Sequence, residues 1–551
     1  MSDEAFDRLA EEFFKSYIDR FPVLGTVLGL HEYDGLLSEN SRAFYEETIQ
    51  FGRETRARFE ALEPEDLSGG RSLDRDVALY ILDMGTFQLE EARSWESRPD
   101  GAEDLGGSLF PLFARTFAPF PTRLESITAR LQAGPRFLDQ IETRLSRPIK
   151  LWTEMALESA ERLPAFLEAI GEQANKEATE GAQNAFQEAR TEAEEALQAY
   201  RSWLEEEVLP RAEEDCALGE EKFARLVEIR GLGWKPMDIR KLGVRYLEDA
   251  KRELGEVAAA IDAQASVDEV SERIHGDHPA DFAGVLEEVR KVNEEARAFV
   301  RDNHLATLPP AERLLVEETP LFLRPILPFA AYFSPARFDK VQEGVYVVTP
   351  PSNGEELLKE HNYASIRNTA VHEGYPGHHL QLSAANLHPS HIRTLTGGTG
   401  VAEMVEGWAH YCEDLMREAG FMDAPEIRFV QLQDIIWRAA RIIIDVDLHA
   451  GRMSFDEAVQ MLVREAGMAE PSAVAEVRRY TQYPTYQLSY LFGKHLIKGL
   501  REEVEKRMGE KFSRAFFHDS IIYAGSIPFF LLRRAVEDKL AKLEEDVEDL
   551  Y

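Results

Sequence analysis

Apolar residues recur at three- and four-residue steps along most of the chain, and that period predicts a mainly α-helical protein. Phe6, Leu9, Phe13, Phe14 and Tyr17 form the first such stripe. A turn region from Pro22 to Asn40 leads to a second helix near Ala43–Leu62, and Asp74–Trp95 reads as a third, with Val77, Tyr80, Ile81, Met84 and Leu89 on its apolar side. The Pro- and Gly-containing stretch Arg98–Phe120 reads as a long connection or folded loop, after which helices resume at Pro121–Leu145 and Leu151–Gln173. From Ala182 to Val208 the apolar positions Ala182, Phe186, Ala189, Ala193, Ala196, Tyr200 and Leu204 approach a 3.5-residue repeat amid many Glu. That spacing predicts a long hairpin or coiled-coil arm, expected to pack within the same protein rather than on a partner. Further helices are expected at Pro236–Ala263 and Phe282–Asp302.

The pattern changes between Leu308 and Pro351, which is dense in proline and carries two short apolar runs, Leu321-Phe-Leu and Gly344-Val-Tyr-Val-Val-Thr349. The second is β-branched and bounded by Gly and Pro-Pro, the best strand in the chain. A small antiparallel sheet is expected there, either a structural hairpin or one whose exposed edge adds an extended peptide as a strand. From Tyr363 onward the period is again helical, with no internal repeat. The change in character divides the chain into residues 1–307, an N-terminal helical region, and residues 308–551.

Composition narrows the function classes. The 551 residues include 63 basic and 100 acidic side chains, a formal charge of −37. Such a chain is a poor ligand for phosphate backbones or anionic membranes, so neither nucleic acid nor membrane is an expected partner. Cys216 and Cys412 are too few for a disulfide framework. The first residues lack a basic segment followed by an apolar one, and no stretch approaches the ~18 uninterrupted apolar residues that span a bilayer. A cytoplasmic location is the expectation.

Six of the fourteen histidines fall between His361 and His391, around Thr369-Ala-Val-His-Glu-Gly-Tyr-Pro-Gly-His-His-Leu-Gln381. Neutral imidazole and carboxylate hold zinc, and a catalytic site takes three of them plus an open position. The common His-Glu-x-x-His spacing is absent, because Pro376 stands four residues after His372. The next histidines are His378 and His379; in an unbroken helix a seven-residue separation spans roughly 10 Å of rise, too far for one ion. If both ends bind one ion, the Pro376-Gly377 step must bulge and bring the second histidine back. On a helix over Val401–Arg417, Glu403, Glu406, His410 and Glu413 share one face. Val405, Trp408, Leu415 and Met416 would leave that polar stripe partly buried, where carboxylates need partners or a cation.

These same segments carry a resemblance. His372-Glu-Gly-Tyr-Pro-Gly-His-His-Leu-Gln381 and Glu406-Gly-Trp-Ala-His-Tyr411 resemble the family labelled domain of unknown function 885, generally placed near the gluzincin metallopeptidases. Arg479-Tyr-Thr-Gln-Tyr-Pro-Thr-Tyr-Gln-Leu-Ser-Tyr-Leu-Phe-Gly493 and the segment from Phe517 to Pro528 are similar to its C-terminal signature. The resemblance implies a large helical cleft of the thimet oligopeptidase and angiotensin-converting-enzyme type, with residues 1–307 as one wall and the small sheet beside the metal. It further implies one zinc per chain, held by His372, His378 and Glu406, with Glu373 as the base that activates water. Dipeptidyl peptidase III carries a one-residue extension before its second histidine; the present motif looks like a two-residue extension, which favours His378 over its rival His379. Glu403, His410 or Glu413 would orient the ligands.

Amide hydrolysis also needs a donor for the developing oxyanion. Tyr490 is the first candidate, with Tyr483, Tyr486 and His518 as rivals. Arg479 can grip a substrate carboxylate bidentately, and Tyr486 and Tyr346 are expected beside the substrate. The expected activity is zinc-dependent hydrolysis of short peptides, carboxypeptidase-like. Two alternatives are hydrolysis of a non-peptide amide or amino-acid conjugate, and a catalytically silent scaffold that binds partners through Ala182–Val208.

Overall fold

The computed structural model describes residues 2–319, 324, 330–351 and 355–548; the run Leu321–Leu323 lies outside them. The chain is mainly helical and divides into two compact units, one of Met1–Cys216 with Ala336–Lys340, the other of Ala217–Pro335 with Val341–Tyr551.

In the first unit, helices α1 (Ser2–Arg20), α2 (Pro22–Leu28), α3 (Arg42–Glu60) and α4 (Arg71–Thr86) precede α5 (Gly101–Ala114), α6 (Phe120–Glu142), α7 (Lys150–Glu177) and α8 (Glu180–Trp203). The stretch expected as a connection therefore contains a helix, α5. Its glycines and Pro111 weaken local propensity, and burial of Leu105, Leu109 and Leu112 restores the helix, each worth about 1.5–3 kcal/mol. The turn region likewise contains α2, which starts on Pro22 and ends at Gly29 in the left-handed conformation. The expected arm is α8. Its stripe of Phe186, Ala189, Ala193, Leu197 and Tyr200 is buried, and α8 packs along α6 and α7.

In the second unit, α9 (Glu220–Ile229), α10 (Pro236–Ile261), α11 (Val267–His275) and α12 (Phe282–Asp302) precede three strands, β1 (Glu312–Glu318), β2 (Ala330–Phe333) and β3 (Gln342–Val348). They are followed by α13 (Tyr363–Glu373), α14 (His378–Ala385), the single turn α15 (Gly397–Gly400), α16 (Ala402–Glu418) and α17 (Pro425–His449). The unit ends with α18 (Phe455–Ala466), α19 (Glu470–Gln482), α20 (Ser489–Met508), α21 (Arg514–Ile522) and α22 (Phe529–Glu548). The division thus falls at Cys216, not at 307. The reason is packing, since α10 lies along α17 and α12 against α13.

The sheet departs from expectation in two ways. Its order is β1-β3-β2, with β1 parallel to β3 and only β2 antiparallel, so it is mixed. The strand containing Gly344–Val348 is the central one, and both its edges are already paired, so it cannot accept a peptide as an added strand. Burial explains its place: Val316, Tyr346 and Val348 form one core with Val285, Val289 and Val292 of α12 and Ile366 and Ala370 of α13. Charged Arg313, Glu317 and Glu318 leave β1 suited to an edge.

Candidate metal centre

Asn362 caps α13 by accepting from the Ser365 N–H at 2.9 Å, and the helix runs to Glu373. It then breaks at the sequence expected to bulge. The Gly377 N–H donates to the Val371 carbonyl at 3.1 Å, folding the chain back before α14 starts at His378. A side chain at Gly377 would place its Cβ 1.9 Å from the His372 carbonyl oxygen, so only glycine permits this return. The Trp408 indole N–H of α16 donates to the Pro376 carbonyl at 2.8 Å and holds the bulge from below.

The return brings the His372 and His378 rings to 4.9 Å between centroids, edge to face. His372 Nε2 lies 3.8 Å and His378 Nε2 3.5 Å from Glu406 Oε2. Ligand atoms of the three residues all lie within 4.8 Å of one another. Ligands held tetrahedrally at about 2.05 Å from an ion sit about 3.3 Å apart, so the set fits zinc with a slight contraction.

Glu413, two turns beyond Glu406, accepts from His372 Nδ1 at 2.8 Å. That fixes Nδ1 as the donor to Glu413 and turns Nε2 toward Glu406, the orientation that a histidine ligand needs once Nε2 has given up its proton. Glu413 is steadied by Asn368 Nδ2 at 3.2 Å, which also donates to Asp434 at 3.0 Å, and Asp434 pairs with Arg438 at 3.1 Å. Burial works against charge on His372, but the Glu406 and Glu413 carboxylates outweigh it and hold the ring protonated up to about 10. Against the same burial, the two histidines keep Glu406 well below the usual carboxylate range. The proton on His372 thus offsets the carboxylate charge around it.

His378 Nδ1 has no hydrogen-bond partner among the described residues; its ring is oriented by stacking on Tyr332, 6.3 Å away and 13° from parallel. His379, the rival, has both nitrogens committed. Nε2 faces Glu312 Oε2 at 2.8 Å and Nδ1 the Tyr332 hydroxyl at 2.9 Å. Glu312 also takes Arg297 at 2.7 Å and the Tyr375 hydroxyl. His379, Tyr375 and Arg297 outweigh the burial of Glu312 and hold it down at about 2, so it stays ionised.

The other residues expected on the α16 face separate. Glu403 forms a fully buried ion pair with Arg230, which also donates to the Thr485 carbonyl at 2.6 Å and so ties down the loop before α20. His410 stands 3.2 Å from Glu413, and burial together with Lys494 pushes it down to about 3, a neutral imidazole. The same face of α16 meets α20 at Gly407 and Gly493. A Cβ at Gly493 would lie 2.1 Å from the Glu403 carbonyl oxygen, and that close crossing sets α20 and the loop before it against Glu406.

On that side the Tyr486 hydroxyl donates to Glu406 Oε1 at 2.7 Å, so Tyr486 orients the carboxylate. Tyr490 packs edge-on against Tyr486 with 5.9 Å between ring centroids, and burial and the Glu406 charge push its phenol up to about 12. His518 does not serve the site. It is fully buried, Nδ1 bound to the Leu305 carbonyl at 2.6 Å and Nε2 accepting from Tyr411 at 2.8 Å, which leaves no nitrogen for an oxyanion. Tyr346 is only 2% exposed in the core beneath the sheet, where it cannot line a substrate. Arg479 is ion-paired to Glu476 at 2.9 Å. Glu373 stands half-buried beside His372, its charge felt by Tyr332 and Tyr346. Tyr332, Glu312, Asn368 and Asp434 lie outside the motifs, and their spacing in the sequence carries no signal of a site.

No curated protein matches the chain. Solved structures share its fold, and two of them are each described as a "putative lipoprotein". One, described as "a putative lipoprotein of unknown function from Shewanella oneidensis", is 23% identical with a TM-score of 0.79, over 96% of this chain and 99% of that one. The other, "the putative lipoprotein from Colwellia psychrerythraea", is 19% identical with a TM-score of 0.82, over 98% and 99%. Likeness at these identities establishes the fold alone. Residues 22–536 match the profile described as "Bacterial protein of unknown function (DUF885)", and the chain belongs to that family.

Proposed function

We propose that the chain is a zinc-dependent hydrolase that cleaves peptide bonds of short peptides. The observation that supports the reading is the convergence of His372, His378 and Glu406 with a protonated Nδ1 enforced by Glu413. His372, His378 and Glu406 would hold the ion, and the finer architecture is of the gluzincin cleft type. When bound, zinc supplies a Lewis acid and brings the pKa of water into the neutral range.

The chain's own residues do the remaining work. Glu373 takes a proton from the attacking water as its oxygen bonds to the carbonyl carbon, then delivers that proton to the amine as the C–N bond breaks. Tyr490, kept protonated, donates to the oxyanion. Tyr486 holds Glu406 in place through Oε1. The test is metal content by elemental mass spectrometry, with short peptides as substrates. Wild type is expected to hold about one zinc per chain, lost in His372→Ala and Glu406→Ala together with peptide cleavage. A wild type that neither contains zinc nor takes it up would sink the reading.

A further inference from the structure

Against Tyr490, α17 and α19 bring three arginines together. The Arg441 guanidinium lies 3.9 Å from the Trp437 ring centroid and 4.8 Å from that of Tyr490, held between the two aromatic rings. Arg438 approaches the same two rings at 5.5 and 5.8 Å. Arg441 donates to the Tyr480 hydroxyl and to Glu476 Oε2, each at 2.8 Å. Arg479 donates to the same Glu476 at 2.9 and 3.1 Å. Arg438 pairs with Asp434. By direct ion pairs among the described residues, three guanidiniums share two carboxylates, a surplus of one; Glu413, whose charge also reaches Arg438, already serves His372.

That surplus sits where the chain as a whole is strongly acidic, so it is a local feature and not part of a basic surface. Two donors beside it are also unused: Arg438 Nε and Trp437 Nε1 are buried without a hydrogen-bond partner among the described residues. Buried donors are normally satisfied, and unpaired ones next to excess positive charge call for an acceptor that is an anion. Arg441 and Arg438 are nearly enclosed, whereas the Arg479 side chain is 40% exposed and gives the cluster an open face. Rings connect the cluster to the metal centre: Arg441 to Tyr490, Tyr490 to Tyr486, and Tyr486 to Glu406.

We propose that Arg441 and Arg479, with Trp437 and Arg438 behind them, form an anion subsite that takes a carboxylate of the peptide substrate next to the scissile bond. The claim rests on the hydrolase reading for the word substrate; the anion site itself does not depend on it. A free peptide C-terminus and an acidic side chain offer the same chemistry.

Binding, measured calorimetrically on metal-free protein, tests the subsite apart from catalysis. Three probes separate the sources: Ala-Ala as free acid, Ala-Ala amide, and Ala-Glu amide. Wild type is expected to bind at least one of the two carboxylate probes about tenfold more tightly than Ala-Ala amide, and which one identifies the source. Arg479→Gln should reduce that preference to near unity, and Arg479→Lys should keep part of it. Equal affinity for all three probes in wild type, or an undiminished preference in Arg479→Gln, overturns the proposal. Zinc uptake is measured on a portion of the same preparations after zinc is added back. Protein that takes no zinc yet keeps the carboxylate preference ends the hydrolase reading and leaves the subsite standing.

Discussion

Glu373 ends α13, between His372 and Gly374. Glu373→Gln keeps the size of the side chain and removes its basicity. Zinc content is therefore expected to stay at wild-type level while kcat falls about 10²–10⁴-fold, the usual worth of a general base. Loss of zinc in this variant would instead make Glu373 a ligand. The adjacent pair His378-His379 gives a second contrast. His378→Ala is expected to abolish zinc binding, because its Nε2 is one of three converging donors. His379→Gln should retain zinc, since that ring serves Glu312 and Tyr332, and its cost should appear as lower stability in urea. The reverse pattern of zinc loss would exchange the two assignments.

At the scale of elements, the α17–α19 contact depends on charge. Burial alone would raise the Glu476 carboxyl, but Arg441 and Arg479, with the Tyr480 hydroxyl, outweigh it and hold it at about 2. A carboxyl depressed from its ordinary value stabilises the fold fully above that value and loses the contribution as pH falls toward its folded pKa. The contribution is about 3 kcal/mol at neutral pH, and it should decline between about pH 5 and pH 2. Urea unfolding of wild type and Glu476→Gln checks this: the variant's deficit should be largest near pH 6 and fall to less than half of that near pH 3. A deficit independent of pH would assign the loss to packing.

What the sequence reveals follows the same scale. Period 3.6 locates most helices, and the spacing of Glu403, Glu406, His410 and Glu413 puts them on one helical face, because that is local; which of Glu403, His410 and Glu413 stands behind His372 is not. The order of the sheet is not local: β3 becomes central through packing on α12, which no pattern within Gly344–Thr349 records. For the same reason Tyr346 and His518 read as candidates yet lie buried, and Tyr332 and Glu312 read as nothing yet complete the surroundings of His378 and His379. Helix α5 was hidden by its own glycines and proline, whose local penalty the buried leucines exceed.

For the whole molecule, among the described residues no helix is long and apolar enough to cross a membrane. A bound ion would act at this scale as well. His372 and His378 come from two helices separated by the bulge, and Glu406 from a third, so an ion bound to all three links α13, α14 and α16 across the unit. An unfolded chain cannot present that set, and binding to the folded state alone stabilises it by mass action. The gain is about 2.7 kcal/mol at a free zinc concentration one hundred times Kd. Chelation should therefore lower Tm by several degrees, and added zinc should restore it in proportion to the logarithm of its concentration. His378→Ala should start at or below the chelated wild type and respond to neither treatment. If that variant instead gains as much from zinc as wild type does, the stabilising ion sits elsewhere, and the three converging side chains would owe their geometry to packing and to the proton on His372.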